Sequence, residues 1–350
     1  MSPPGQHDTL SARRIAIAAV TAAMAWVALP SAPSPADASR LTDQTGRIEV
    51  DAMEYPWSAI GRLNTGGRGH CTGFLVGERT VLTAAHCLYD WRQGRWRGAS
   101  ELYFVAGYQR DTYIIHSPVV SYARASGFVP LNRPTTANAV TDWAFLTLAR
   151  PIGRQAGWLG LRRLDNKLRT RLRRGEASLL QAGYRQGWAN IMSINLNCAL
   201  AGSFQGTLGI ADSCNVAKGD SGSPLLVLVD GTAVAIGLHV LDARAKGGTV
   251  AGALSAALFH PGGGATEAIR AARRAGVTWN RGQPPASGGP ALPVPSATIG
   301  RLLNRKGTAA IADFEARAGL PVTGKPSLAV LSKLIANARP AADGAKPSER

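Results

Sequence analysis

Val216–Leu226 reads VAKGDSGSPLL, with Ser221 between two glycines, an aspartate before it and a proline-led apolar run behind it. A serine hydroxyl is a weak nucleophile until a neighbouring base takes its proton. Glycine suits a sharp turn whose amides must face inward. The residues that follow decide the architecture. In an α/β-hydrolase the nucleophile follows a strand and opens a helix. Here Pro224 leads into LLVLVDGTAVAIGLHV (Leu225–Val240), two apolar runs around Asp230-Gly231, a favoured two-residue hairpin turn. Ser221 is therefore expected on a loop of an all-β domain.

The rest of Arg47–Phe259 agrees with that expectation. Short runs such as CTGFLVG, RTVLTAAH, ELYFVAGY and DWAFLTLA recur between Gly, Pro, Asn and Asp, with no long helical stripe among them. Closely spaced strands of this kind predict a sandwich or barrel. Upstream of the serine, LTAAHC (Leu82–Cys87) places His86 after a strand-like run, and TDWAFLTL (Thr141–Leu148) opens another with Asp142. A histidine can serve as the base, and a buried aspartate can fix its tautomer and stabilise the imidazolium. The chain order His86, Asp142, Ser221 is one of three unrelated orders known for that geometry. His70, His116 and His260 lack the same context and are expected to be structural or surface residues.

Together LTAAHC, TDWAFLTL and GDSGSPL resemble the trypsin-like (chymotrypsin-fold) serine proteases, over about Ile48–Phe259. They are most similar to the bacterial glutamyl-endopeptidase-like branch, whose first strand YPWSAIGRL (Tyr55–Leu63) also resembles. The resemblance implies two six-stranded antiparallel β-barrels with the active site between them. His86 would lie on the first barrel, Ser221 on the second and Asp142 at their junction. The N–H groups of Gly219 and Ser221 would form the oxyanion hole. Asn215 stands six residues before Ser221, where trypsin-like enzymes selective for Arg and Lys carry an aspartate, so strict Arg/Lys selection is not expected. His239, in AIGLHV, stands where glutamyl endopeptidases carry a histidine at the wall of the specificity pocket. It implies preference for Glu or Asp on the acyl side of the cleaved bond, although Asp242 would oppose an acidic side chain. No metal or other cofactor is implied.

The N-terminus reads as a secretory signal peptide over residues 1–38: Arg13 and Arg14, an apolar run Ile15–Leu29, and small residues around ADA at Ala36–Ala38. A short propeptide is expected over residues 39–47. The resemblance implies that Asp220 pairs with an α-amino group released by cleavage, and Arg47-Ile48 stands 38 residues before His86, close to that family's usual separation. In an exported chain an even number of cysteines favours disulfides over metal ligation. Of three possible pairings, Cys71–Cys87 and Cys198–Cys214 are the sequence-local ones, each closing a loop of about 15 residues worth roughly 3 kcal/mol.

Lysine and arginine number 39 against 22 acids, a net charge of +17. Such charge bears on partners and solubility rather than on fold. Its densest run is Leu161–Gly175, with seven basic residues and one acid, readable as a solvated face or as a contact for an anionic envelope polymer. Nothing resembles a base-reading motif, so nucleic acid is not an expected partner. The protease-like domain is placed at residues 48–275 and a Pro/Gly-rich linker at 276–297. Residues 298–340 show helical apolar spacing. IADFEARAGLPVTGKPSLAVLSKL (Ile311–Leu334) resembles the second half of a small three-helix peptidoglycan-binding domain, with Glu315 where such domains usually carry glutamine. This predicts a small α-helical C-terminal domain, followed by a disordered tail at 341–350. The whole reads as a monomeric enzyme acting on protein or peptide, secreted or held at the cell envelope, with peptidoglycan as a further partner. A serine esterase on the same fold and a silent wall-binding protein are the alternatives.

Overall fold

Arg47–Ser255 folds as strands because its apolar runs are short, rich in β-branched and aromatic residues, and bounded by turns. The computed structural model describes residues 46–338 apart from 68, 132–134, 197, 246–247, 261–265, 278–286, 290–293 and 305–306, with the backbone alone given across 243–250. The signal peptide, most of the expected propeptide and the tail lie outside the described residues.

β1 (Arg47–Glu49) is followed by β2 (Ile60–Asn64), β3 (His70–Leu75) and β4 (Thr80–Thr83). A small hairpin of β5 (Tyr89–Asp90) and β6 (Arg95–Trp96) leads to β7 (Tyr103–Ala106), β8 (Ile115–Arg124) and β9 (Ala144–Leu148). β2-β3-β4-β9-β8-β7 close into a six-stranded barrel, whose strand residues Leu63, Phe74, Leu82, Phe104 and Phe145 are all buried. The run resembling a first strand begins later than its sequence suggests, because Trp57–Ala59 forms a 3-10 turn before β2.

The second half holds β10 (Gly160–Leu161), β11 (Ser178–Gly183), β12 (Ser193–Asn195), β13 (Leu200–Phe204), β14 (Gly209–Asp212), β15 (Pro224–Val229), β16 (Thr232–Ala245) and β17 (Gly248–Ser255). The expectation of a second six-stranded barrel is corrected here. These strands form an open sheet of order β1-β12-β11-β15-β16-β17-β14-β13, with β10 parallel to β16. Closure would need β13 to pair with the free side of β12, but β1 from the start of the chain already occupies that edge. The hairpin turn falls where read: Val229 faces Thr232, and Asp230 and Gly231 both have positive φ, +52° and +67°.

α1 (Asn166–Arg173), within the basic run, lies between β10 and β11; past the sheets come α2 (Thr266–Arg274), α3 (Ser296–Leu302), α4 (Thr308–Ala318) and α5 (Leu328–Ala338). Ile299, Phe314, Leu331 and Ile335 bury their side chains in the same apolar core as the barrel. α5 docks on the second sheet, with Ser178 Oγ donating to Ser332 O at 2.6 Å. Glu54 accepts from Ser296 Oγ and Ala297 N at 2.7 and 2.9 Å and so caps α3. Within the run read as a linker, Gly288 bridges to Trp158, and Ser287 Oγ accepts from Gly160 N and donates to Ala233 O. The C-terminal helices thus lie against the β body.

Candidate active site

β4 and β9 are neighbours with Thr83 opposite Ala144. Three residues past Thr83, the 3-10 turn Ala85–Leu88 carries His86; two residues before Ala144 stands Asp142. Ladder register alone brings the two side chains to one end of the barrel. Asp142 Oδ2 lies 2.6 Å from His86 Nδ1, and its Oδ1 accepts the His86 backbone N–H at 2.8 Å. Asp142 is buried, while the His86 side chain keeps 22% of its surface. Burial by itself lowers the pKa of His86, but the charge of Asp142 and its hydrogen bond outweigh burial and raise it above the ordinary 6.5. With Nδ1 held by the carboxylate, Nε2 is the nitrogen left to exchange a proton.

Ser221 lies on the loop between β14 and β15. Its carbonyl accepts Thr72 N–H from β3 at 2.9 Å, and Gly222 N–H donates to His239 O at 2.8 Å, so the loop is pinned to both halves of the molecule. The Cys71–Cys87 disulfide runs beside it, next to His86. Gly219 has φ +92°, and a Cβ there would fall 2.3 Å from Tyr184 O; at Gly222, φ +83°, it would fall 2.2 Å from Thr72 O. No side chain fits either position. Thr72 Oγ1 donates to Gly219 O at 2.8 Å and fixes that peptide's orientation. Among the described residues, neither Gly219 N–H nor Ser221 N–H donates a hydrogen bond. Both amides are thus open to an acceptor.

The two specificity candidates, His239 and Asn215, lie on β16 and on the loop before Ser221. His239 is buried at 1% exposure, its Nε2 3.2 Å from Asp212 Oδ2 and its Nδ1 3.4 Å from Ser223 Oγ. Ser223 Oγ also accepts Gln181 Nε2 at 3.0 Å, which leaves its hydrogen for His239. Asp212 is fully buried and accepts Cys214 N–H at 2.9 Å. Asn215 lies beside Arg47, its carbonyl 3.5 Å from Nη1.

Three contacts around the site were not read from sequence. Asp212 is the partner of His239, whereas the sequence had raised only Asp242 near it, as an acid opposing an acidic substrate side chain. His70 Nε2 donates to Tyr184 O at 2.8 Å and stands against Gly219, so it belongs to the surroundings of the loop that carries Ser221. Burial lowers its pKa most, against the raising effect of its hydrogen bond to the Tyr184 carbonyl. Arg47, read as the residue before a cut, lies fully buried with its guanidinium on Asp220. Nothing local in the sequence signals these contacts, although the isolated arginine in the strand-like RIEV (Arg47–Val50) could have been asked for a partner.

Both sequence-local disulfides are present, Cys71–Cys87 and Cys198–Cys214. The groups that bring metal-binding residue types together, Cys71–His86–Cys87 and Asp212–Cys214–His239, each include a cysteine in one of these bridges. Such a sulfur is not available as a thiolate ligand.

A six-stranded antiparallel barrel that presents histidine and aspartate to a glycine-flanked serine loop, in that chain order, narrows the class to β-barrel proteins of the serine-protease type. The family model described as Trypsin matches residues 45–257, and the chain belongs to that family. It is 30% identical over 124 residues to a glutamyl endopeptidase of Bacillus licheniformis, covering 35% of this chain and 34% of that protein. It is 29% identical over 126 residues to an extracellular metalloprotease of Bacillus subtilis, covering 35% of this chain and 38% of that protein. The matched part thus spans about a third of the length of these relatives. Among solved structures, a Glu endopeptidase in complex with MPD is similar at TM-score 0.49 and 18% identity, covering 67% of this chain and 99% of that one. The VesB protease of Vibrio cholerae is similar at TM-score 0.45 and 20% identity, covering 61% and 65%.

Proposed function

We propose that the chain is an exported serine endopeptidase in which Ser221 attacks the carbonyl carbon of a peptide bond. The observation that carries this reading is the 2.6 Å contact between His86 Nδ1 and the buried Asp142 carboxylate. Ser221 Oγ forms the bond to the acyl carbon while His86 Nε2 takes its proton. The tetrahedral oxyanion draws on the N–H groups of Gly219 and Ser221. His86 then gives the proton to the departing amine, and water repeats the sequence on the acyl-enzyme. Export is supported by the signal-peptide pattern at residues 1–38 and by two disulfides, which persist in oxidising compartments. The test is labelling by a fluorophosphonate probe together with turnover of a peptide library. The parent labels and cleaves, and Ser221→Ala does neither. Cleavage retained in Ser221→Ala rejects the assignment, and hydrolysis of esters without peptides moves the activity to the esterase class.

A preference for Glu or Asp on the acyl side is favoured by the likeness to the Bacillus licheniformis glutamyl endopeptidase and by the place of His239 on β16. Against it, both ring nitrogens of His239 are engaged, and a substrate carboxylate there meets the like charge of Asp212. Library profiling decides. Cuts after Glu and Asp that weaken in His239→Ala support the acidic pocket; cuts after aromatic or small residues, unchanged by it, eliminate it. Association with peptidoglycan rests on the sequence likeness of Ile311–Leu334, and sedimentation of the purified protein with insoluble cell wall tests it.

A further inference from the structure

Asp220, beside the nucleophile, is completely buried, and a buried carboxylate without a counter-charge is strongly unfavourable. Its partner in the continuous chain is Arg47. Nη1 lies 3.0 Å from Oδ2 and Nη2 3.1 Å from Oδ1, a two-bond fork between side chains that are both 0% exposed. The guanidinium is satisfied on its other sides as well, by Ser193 Oγ (3.0 Å), Gln181 Oε1 (2.9 Å) and Ser193 O (3.4 Å). Around the carboxylate, Ala217 N–H donates to Oδ2 at 3.0 Å and Gln181 Nε2 to Oδ1 at 3.1 Å. Asp220 N–H reaches Ala217 O and Ser223 N–H reaches Asp220 O, so the loop carrying Gly219 and Ser221 is wound around this one carboxylate.

The strand that delivers Arg47 is itself built in. Arg47, Ile48 and Glu49 face Asn195, Ile194 and Ser193 of β12, and the ladder continues on both sides, through Leu196 N–H to Gly46 O and Val50 N–H to Met192 O. Glu49 is tied to Arg110 at 2.7 Å, and its carbonyl accepts Arg301 of α3 at 3.0 Å. The Arg47–Ile48 bond thus lies inside a paired strand between residues 0% and 1% exposed. A protease can reach such a bond only after the strand opens.

We infer that Arg47 is the positioning residue that holds Asp220, and through it the Gly219 and Ser221 amides, in working geometry. The Arg47–Ile48 bond then stays intact in the active enzyme. The guanidinium does what a newly released α-amino group would otherwise do, and no cut at that bond is needed to form the oxyanion site. This rests on the proposed role of Ser221 and adds to it a partner whose planar fork meets both oxygens of the Asp220 carboxylate.

The experiment uses the exported full chain, its N-terminus determined by intact mass and sequencing, with peptide turnover measured alongside Ser221→Ala, Arg47→Gln and Arg47→Lys. The active species is expected to begin before Arg47. Arg47→Gln leaves a buried carboxylate unpaired and is expected to lower kcat by about 10²-fold or more, the scale of losing one oxyanion-hole donor. Arg47→Lys keeps the charge but not the fork, and is expected to restore part of that loss. A fully active species beginning at Ile48 overturns the inference, and that measurement holds even if Arg47→Gln fails to fold. Parent-like turnover in Arg47→Gln, with Ser221→Ala dead, overturns it while leaving the nucleophile standing. Turnover persisting in Ser221→Ala rejects both readings together.

Discussion

In the first barrel every strand is paired on both edges, and His86 and Asp142 reach each other because β4 and β9 are in register. The second sheet ends at β1 on one side and β13 on the other, and it delivers Ser221 on a loop that no ladder fixes. That loop takes its shape from glycines at positive φ and from one buried ion pair reaching back to the start of the chain. A closed ladder sets an acid–base pair by geometry alone, whereas an open sheet needs a dedicated charge contact to hold its amides. The edge strand that prevents closure is the same strand that supplies this contact.

The largest expected effect lies on the register side. Asp142→Asn preserves shape but presents an amide to His86, which favours the wrong tautomer. Turnover should fall by about 10⁴-fold with the fold intact by circular dichroism, the scale seen when the triad acid is neutralised in this way. Combining it with Ser221→Ala should add little, because residues acting as a unit are not additive. A loss below tenfold would mean that Asp142 does not orient the base. The loop side, probed through Arg47→Gln, is expected to cost less, since it displaces donors without removing the base.

The same comparison can be sharpened with pH. As the proposed base His86 must be neutral to accept a proton, and its pKa stands above 6.5 because the charge and hydrogen bond of Asp142 outweigh burial. The acidic limb of kcat/KM should therefore have its midpoint above 6.5, and activity should rise as pH increases through it. Stability runs the other way: the raised pKa contributes stability below 6.5 that is lost as pH climbs through the folded value. In Asp142→Asn the limb of the residual activity should move down. An unmoved limb would assign it to another group.

The three chemical motifs were legible because each is local: LTAAHC, TDWAFLTL and GDSGSPL state residue type and turn chemistry within a few positions. The Asp230-Gly231 hairpin was legible for the same reason. Barrel closure was not, since it depends on which strand takes the outer edge of β12, and β1 lies 146 residues from Ser193 in the chain. Arg47 and Asp220 are separated by 173 residues, and RIEV reads equally as a cleavage point or a buried strand. His239 was seen without Asp212 because its position suggested a pocket wall, and the carboxylate opposite it comes from another strand. The helices at Ile299, Ile311 and Leu328 showed their spacing plainly. An apolar stripe says that a face is covered, though not by what.

Since the stripe of α5 lies on the β body, the C-terminal helices should contribute to its stability. Leu331 is fully buried in the shared core, and Leu331→Ala should destabilise the protein by about 2–5 kcal/mol. Denaturant unfolding should show one transition for barrel and helices together. Two separate transitions, with the variant shifting only the weaker one, would make the helices an independent unit.

The smallest effect is expected at Glu315, and its sign separates two accounts of the acid standing where similar domains usually carry glutamine. Glu315 is 2% exposed and closes the AGLPVTG turn after α4, accepting Thr323 N–H at 2.6 Å, Thr323 Oγ1 at 2.8 Å and Gly324 N–H at 2.7 Å. Burial is the largest influence on its pKa and raises it. The donors of Gly324 and Thr323 together outweigh burial, leaving the carboxyl below the ordinary 4.5. A depressed carboxyl pKa contributes stability above the unfolded value that is lost as pH falls through the folded one. Glutamine has one acceptor oxygen and would turn its amide N–H groups toward these donors. Glu315→Gln should therefore lower the melting temperature slightly at neutral pH, and the difference should shrink as pH drops below the ordinary glutamate range. A variant as stable as the parent at neutral pH would show that the turn does not depend on the charge.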